Sequence, residues 1–432
     1  MMPQSQFMVV APIVRERETS LRQLLDTMNS APGVADPDNV VLPFAQFDRL
    51  HFARLVVLND ATMSDLELCG LPRPRLPYYL AFMGDCDGSR HECLIDLSRR
   101  ASDGLRRLFA HCEGFNDDND LLKWMLDHNL PVAANYVNWI GRTVLQIRQE
   151  STLQRLLSAQ VPRGTPATGS DAQRIRRDLI ALVDTELRAG RLALTPPEPT
   201  PVLWWVKNFL HAVAVPLIGL LVLPLLIVML PIIIIQLRTR ETSDLELAQR
   251  PTPEALREMR LLEDRDVTNQ FTALGPVKPG RFRRWLASGL LVLIDYSCRH
   301  VFNRGYLARV QTIHFARWVF LDDKSRVVFA SNYDGGHEAY MDDFINKVAW
   351  GLNLIFSNGL GWPQTDWLIK RGARREQSFK YYQRRHQLPS QVWYKAYPGL
   401  TLTDIKRNQH IREGLQRTGM RDEQALAWLQ LL

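Results

Sequence analysis

The ten-residue segment HFARLVVLND beginning at His51 returns, little changed, as HFARWVFLDD beginning at His314. A chain that writes one phrase twice is read as two copies of one unit, and this constrains the fold more than any other feature. With His51 set against His314, the flanks match as well. Upstream, FMVVAPIVRERETSLRQLL from Phe7 lies against FTALGPVKPGRFRRWLASG from Phe271, with Pro12 facing Pro276. Downstream, DGSRHECLIDLSRRASDGLRRLFAHCEGF from Asp87 runs without gaps against DGGHEAYMDDFINKVAWGLNLIFSNGLGW from Asp334. The pairs Asp87/Asp334, Gly88/Gly335, Gly104/Gly351 and Phe109/Phe356 coincide there. Later, HNLPVAANYVNWIGRTVLQIR from His128 matches HQLPSQVWYKAYPGLTLTDIK from His386, including Pro131/Pro389 and Tyr136/Tyr394. Blocks kept in one order, separated by loops of unequal length, point to an internal duplication.

Within each copy, FMVVAPIV, HFARLVVL and YYLAFMG read as strands and TSLRQLLDTM as a helix. TIHFARWVFLDDKSRVVFASNYDG reads as a hairpin turning at DDKS. Met341, Phe344, Ile345, Val348, Leu352 and Ile355 fall at helical spacing. VAANYVNW and VWYKAY are the candidate closing strands of their copies. The order strand, helix, strand, strand, helix, strand is that of a ferredoxin-like unit. Such a unit covers one sheet face only, so the expected fold class is α+β: two ferredoxin-like units pairing sheet against sheet as a pseudo-dimeric α/β barrel, with an inserted membrane segment. The expected division is 1–157 for the first unit, 158–201 for a linker, 202–240 for the membrane segment, 241–265 for a second linker and 266–432 for the second unit.

The inserted segment is FLHAVAVPLIGLLVLPLLIVMLPIIIIQ, free of Asp, Glu, Lys and Arg from Phe209 to Gln236. A soluble core helix rarely stays apolar this long, and about 20 such residues suffice to span a bilayer. A single span would part the two copies, and two spans need roughly 40 residues plus a turn. Pro216, Pro224 and Pro231 favour breaks, and Lys207, Arg238 and Arg240 make both flanks look cytoplasmic. A re-entrant or in-plane helical hairpin at the inner membrane is therefore expected, with both units on the cytoplasmic side; a single span is the competing reading, with the copies then pairing between different chains. The net charge of +7 suits an anionic partner such as nucleic acid or a phospholipid surface, and equally an ordinary basic surface. Lys and Arg are scattered without a run of five, and nucleic acid is not an expected partner. Five cysteines with no C-x-x-C pair argue against a disulfide framework and a structural zinc site. MMPQSQFMVVAPIVRERE lacks a basic leader, and no signal peptide is expected.

A residue kept in both copies serves the shared fold first, which weighs on His51/His314 and Arg54/Arg317. The Asp-Gly pairs at Asp87 and Asp334 suit a turn or a helix cap as well as catalysis. Tyr333, His337, Trp350 and His410 break the symmetry and draw more interest. The paired units, with GDCDG from Gly84 fitting G-x-x-D-G, resemble the dye-decolorising peroxidases, haem enzymes of the dimeric α/β-barrel superfamily. The resemblance implies that Asp87 assists peroxide cleavage over a haem and that a His of the second unit, His410 in QHIREG, binds the iron. A haem site needs an axial His, an acid or base and a cation. Asp334, His337, Arg317 and His314 are the further candidates, at neighbouring strand ends. The expected function is a membrane-associated, haem-binding, peroxidase-like oxidoreductase acting on a small apolar or phenolic substrate, with a homo-oligomer as the candidate assembly. The alternative is a non-enzymatic membrane-anchored scaffold or a module binding an apolar ligand or lipid.

Overall fold

Residues 2–138, 140–161, 169–247, 249–303 and 305–432 are described in the computed structural model of the chain. Residues 162–168 of the linker expected at 158–201 lie outside them. The principal strands are β1 (Gln4–Pro12), β2 (Leu50–Leu58), β3 (Tyr79–Asp87), β4 (Ala134–Val137), β5 (Thr268–Pro276), β6 (Ile313–Leu321), β7 (Arg326–Asp334) and β8 (Val392–Lys395). The principal helices are α1 (Arg90–Arg100), α2 (Val144–Ser158), α3 (Val202–Ser243), α4 (Arg281–His300), α5 (His337–Phe356), α6 (Glu376–His386) and α7 (Leu402–Gln416). The class is α+β.

The strands build two antiparallel sheets of four, in the orders β1-β3-β2-β8 and β5-β7-β6-β4. Side chains alternate across each strand, and both faces are used. On β1, Phe7, Val9 and Ala11 point to the helices, while Met8 and Val10 point to the other sheet. On β3, Leu80 and Phe82 go to the helix side and Ala81 and Met83 to the other sheet. From the second sheet, Leu274, Val319, Leu321, Val328 and Ala330 meet them, so the sheets share one apolar layer. Covered on both sides, β2 is buried from end to end, which explains its nearly unbroken apolar run. The β6–β7 hairpin turns at Asp322, Asp323 and Lys324, all with φ near +50 to +63°, where DDKS placed it.

The short strands depart from expectation in their partners. β4 was expected to close its own copy but lies along β6 of the second, with Asn135 opposite Arg317. β8 lies along β2 of the first copy, with Trp393 opposite Arg54. An edge strand presents unpaired N–H and C=O groups, and the exchanged strand satisfies them. Each exchange leads into a helix opened by the same device, a Thr side chain and a residue three places on that cap each other: Thr143 with Gln146 on α2, and Thr401 with Asp404 on α7.

The apolar segment is one continuous helix rather than a hairpin. α3 runs for 42 residues with Pro216, Pro224 and Pro231 inside it, and it is long and apolar enough to cross a membrane, with a mean hydropathy of 3.1 over its most apolar window. Proline's φ fits a helix, so each ring removes one hydrogen bond and bends the axis without reversing it. A reversal needs further turn residues beside a proline, and between Leu217 and Ile235 the sequence offers only Gly219 in addition to Pro224 and Pro231, with no Asn, Asp or Ser. The C-terminal end is anchored: buried Glu241 accepts hydrogen bonds from Thr365 Oγ1 at 2.6 Å and from the backbone N–H groups of Trp367 and Leu368.

Candidate functional site

Asp87 and Asp334 end β3 and β7, each followed by a glycine with positive φ, +76° at Gly88 and +88° at Gly335. That left-handed step turns the chain into the next helix and leaves the carboxylate behind in the interior. Asp87 Oδ1 lies 2.9 Å from His51 Nε2, and its Oδ2 accepts the Val144 N–H at the start of α2. Asp334 repeats this: Oδ1 is 2.7 Å from His314 Nε2, and Oδ2 accepts the Leu402 N–H at the start of α7. Each aspartate therefore ties a strand histidine to the N-terminus of a helix far along the chain, where a negative charge is favoured. All four groups are engaged in this role.

Arg317 and Arg54 leave their own sheets and clamp the opposite one. Arg317 donates to Phe7 O at 2.6 Å, to Gly84 O and to Asp85 Oδ1. Arg54 donates to Phe271 O and Ser331 O, both at 2.9 Å, and to Asn332 Oδ1. Phe7 and Phe271, like Gly84 and Ser331, are positions that the sequence comparison set against each other, and the two clamps have the same form. At the centre Asn332 Nδ2 donates to Asp85 Oδ2 at 3.0 Å. Burial, then the neighbouring Arg317, pulls Arg54 down to about 9. Asp85 and Asn332 were not among the residues singled out from the sequence. The signal was present, since they are matched positions that differ in charge within strands otherwise buried.

His337 stands apart from these groups, at the first turn of α5. It borders a cleft of about 520 Å³ with Arg250, Arg260, Glu338, Lys380 and Arg384. Its ring is 1% exposed, its Nδ1 has no hydrogen-bond partner among the described residues, and Glu263 Oε1 is 3.7 Å away. Glu263 is itself held by Arg384 at 2.6 and 2.8 Å. Burial, with Arg384 and Lys380 adding positive potential, lowers His337 to about 3. The imidazole is thus held in its neutral form rather than as a cation. His410 lies on the exposed face of α7.

The arrangement bears on the haem expectation. His314 uses Nε2 on Asp334 and its ring packs against Phe52 and Tyr397. Arg317 is spent between the sheets, His337 faces a different cleft, and His410 faces outward. These residues share no cavity, and as placed they do not fit a haem; no step is derived through one. Among the described residues no group of three or more His, Cys, Asp or Glu is placed to hold a metal ion. Comparison with protein-family models, with curated proteins and with solved structures returns no match.

Proposed function

We propose that the chain is a membrane-associated binding module rather than an oxidoreductase. In this reading two ferredoxin-like units form a pseudo-dimeric α/β barrel, and α3 lays the barrel against one face of a bilayer, where it takes an apolar or lipid ligand. The observation that carries the reading is how α3 meets α4. Near one end, His211 Nδ1 lies 3.0 Å from His300 Nε2 and Tyr296 Oη donates to Ala212 O. Near the other, the Arg240 guanidinium sits 5.1 Å over the Phe282 ring. The two helices run antiparallel, and both ends of the apolar segment are tied to one helix of the second unit.

Magnitudes favour an in-plane or shallowly dipping α3 over a perpendicular span. The uncharged part of α4, Trp285–Ile294, is ten residues, about 15 Å at 1.5 Å per residue. That is half of a hydrocarbon core of about 30 Å. Arg281, Arg284, Asp295 and Arg299 flank it, so α4 is too short and too charged at its ends to cross beside α3. A perpendicular span would break one set of contacts, whereas an arch keeps both. Between the two contacts α3 has 29 residue steps and α4 has 18, roughly 44 Å against 27 Å, and the prolines let the surplus bow outward. Trp285 at 77% exposure and Val292 and Leu293 above 50% extend the apolar strip along α4, while Lys207, Arg238 and Arg240 suit anionic headgroups.

Reporter fusions after Gly190 and at Leu432 test the reading. The same sidedness is expected at both positions. Opposite sidedness would replace the arch with a true span and remove the basis for a module lying on one face.

A further inference from the structure

Behind the second sheet, between α4 and α5, lies a cavity of about 140 Å³ whose walls are almost wholly apolar. Trp318, Phe329, Phe344, Val348 and Leu352 form much of the lining. An engineered apolar cavity of about 150 Å³, close to this one in size, takes up benzene. Two irregular backbone positions border it. Val348 leaves helical geometry in the middle of α5, at φ −139° and ψ 22°, and Ala308 holds φ at +55°. The left-handed backbone at Ala308 costs roughly 1–3 kcal/mol, and strain of that kind gathers at ligand sites. The indole Nε1 of Trp318, a residue 3% exposed, has no hydrogen-bond partner among the described residues.

The way out of the cavity fixes the class of ligand. Leu293 and Trp350 belong to its lining and are also 57% and 47% exposed. Leu293 continues into Val292 and Trp285 on the strip of α4 that runs beside α3. An apolar path therefore leads from the proposed membrane-facing surface into the interior, without an ionised group on the way to hold a charged ligand. We infer that the cavity takes the methyl end of a single acyl chain from the adjoining leaflet, with the rest of the chain lying along Leu293 and Trp350. This rests on the membrane-lying reading of α3 for the source of the chain, though not for the cavity's ability to hold it.

The test uses the full-length protein in dodecyl maltoside micelles and hexadecanoic acid carrying a nitroxide near its methyl end. A strongly immobilised component is expected in the spin-resonance spectrum, and a label near the carboxyl group should stay mobile. Val348→Phe and Gly351→Leu fill the space. A Cβ at Gly351 meets no atom within 4 Å, so the second variant enters without a backbone clash and its melting temperature should not fall. Both should weaken binding at least tenfold. Failure of the wild type to immobilise the probe beyond protein-free micelles would overturn the inference. So would undiminished binding by a folded Gly351→Leu protein, or full displacement by indole with no dependence on chain length, which would assign a compact aromatic ligand instead. Binding in micelles alongside opposite reporter sidedness would keep the cavity and discard the arch; same sidedness without immobilisation would do the reverse.

Discussion

Asp85 is the one carboxylate set between the buried guanidinium groups of Arg54 and Arg317, and it bonds Arg317 directly and Asn332 on the other side. Replacing it by the isosteric Asn leaves two buried cations without a counter-charge. Breaking a buried ion pair by removing one partner costs about 3–5 kcal/mol, and Asp85→Asn should lose that much in denaturant unfolding. The double change with Arg317→Met should recover part of the loss; a single variant within 1 kcal/mol of wild type, measured on that ~3–5 kcal/mol scale, would show that the network is decoration. A second residue-scale effect concerns His337 and His386. Burial lowers His337 to about 3 and His386 to about 4, whereas an unfolded histidine titrates near 6.5. The folded protein thus binds fewer protons than the unfolded chain between those values. Stability is full above pH 6.5 and falls as the pH drops, by about 2 kcal/mol per histidine at pH 5. Denaturant midpoints of wild type, His337→Gln and His386→Gln at pH 7.5 and 5 check this, each variant being expected to show a flatter dependence.

At the scale of elements, what the sequence revealed follows from what is local. The β6–β7 hairpin was legible because alternation, a polar turn and the returning strand all lie within about 25 residues of Ile313, and α5 because its apolar residues recur at helical spacing. β4 and β8 were legible as strands and not as partners. A run such as VWYK carries a preference for extended backbone, whereas the edge it joins is set by the rest of the molecule. The prolines of α3 misled for a related reason: they mark lost hydrogen bonds, and whether a helix bends or reverses there depends on turn residues and on α4. The site shows the same limit. The Asp-Gly turns were visible, yet the helices that Asp87 and Asp334 cap begin 57 and 68 residues further on, beyond any spacing argument. The cavity beside α5 left no motif, because a kink at one valine is a product of packing.

At the scale of the whole molecule, the two halves of the chain are joined in three ways that a cut in the chain does not undo. β4 and β8 are exchanged, Arg54 and Arg317 reach across, and the layer of Met8, Val10, Val56, Leu58 and Met83 is closed by Leu274, Val319 and Val328. The connection between the helix Gly169–Arg188 and α3 is by contrast largely exposed around Pro196–Glu198, so a protease site placed there should cut without disturbing the core. The nicked protein is expected to run as one species in detergent and to part only under denaturant, as obligate partners with extensive apolar contact do. The first half expressed alone would bare one face of its sheet and the edge of β2, and should aggregate. Halves that separate after cutting as folded monomers would mean that the exchanged strands and the shared layer contribute little. The outcome also bears on the membrane: halves that stay together must lie on the same side of it, and α3 must then enter and leave by one face.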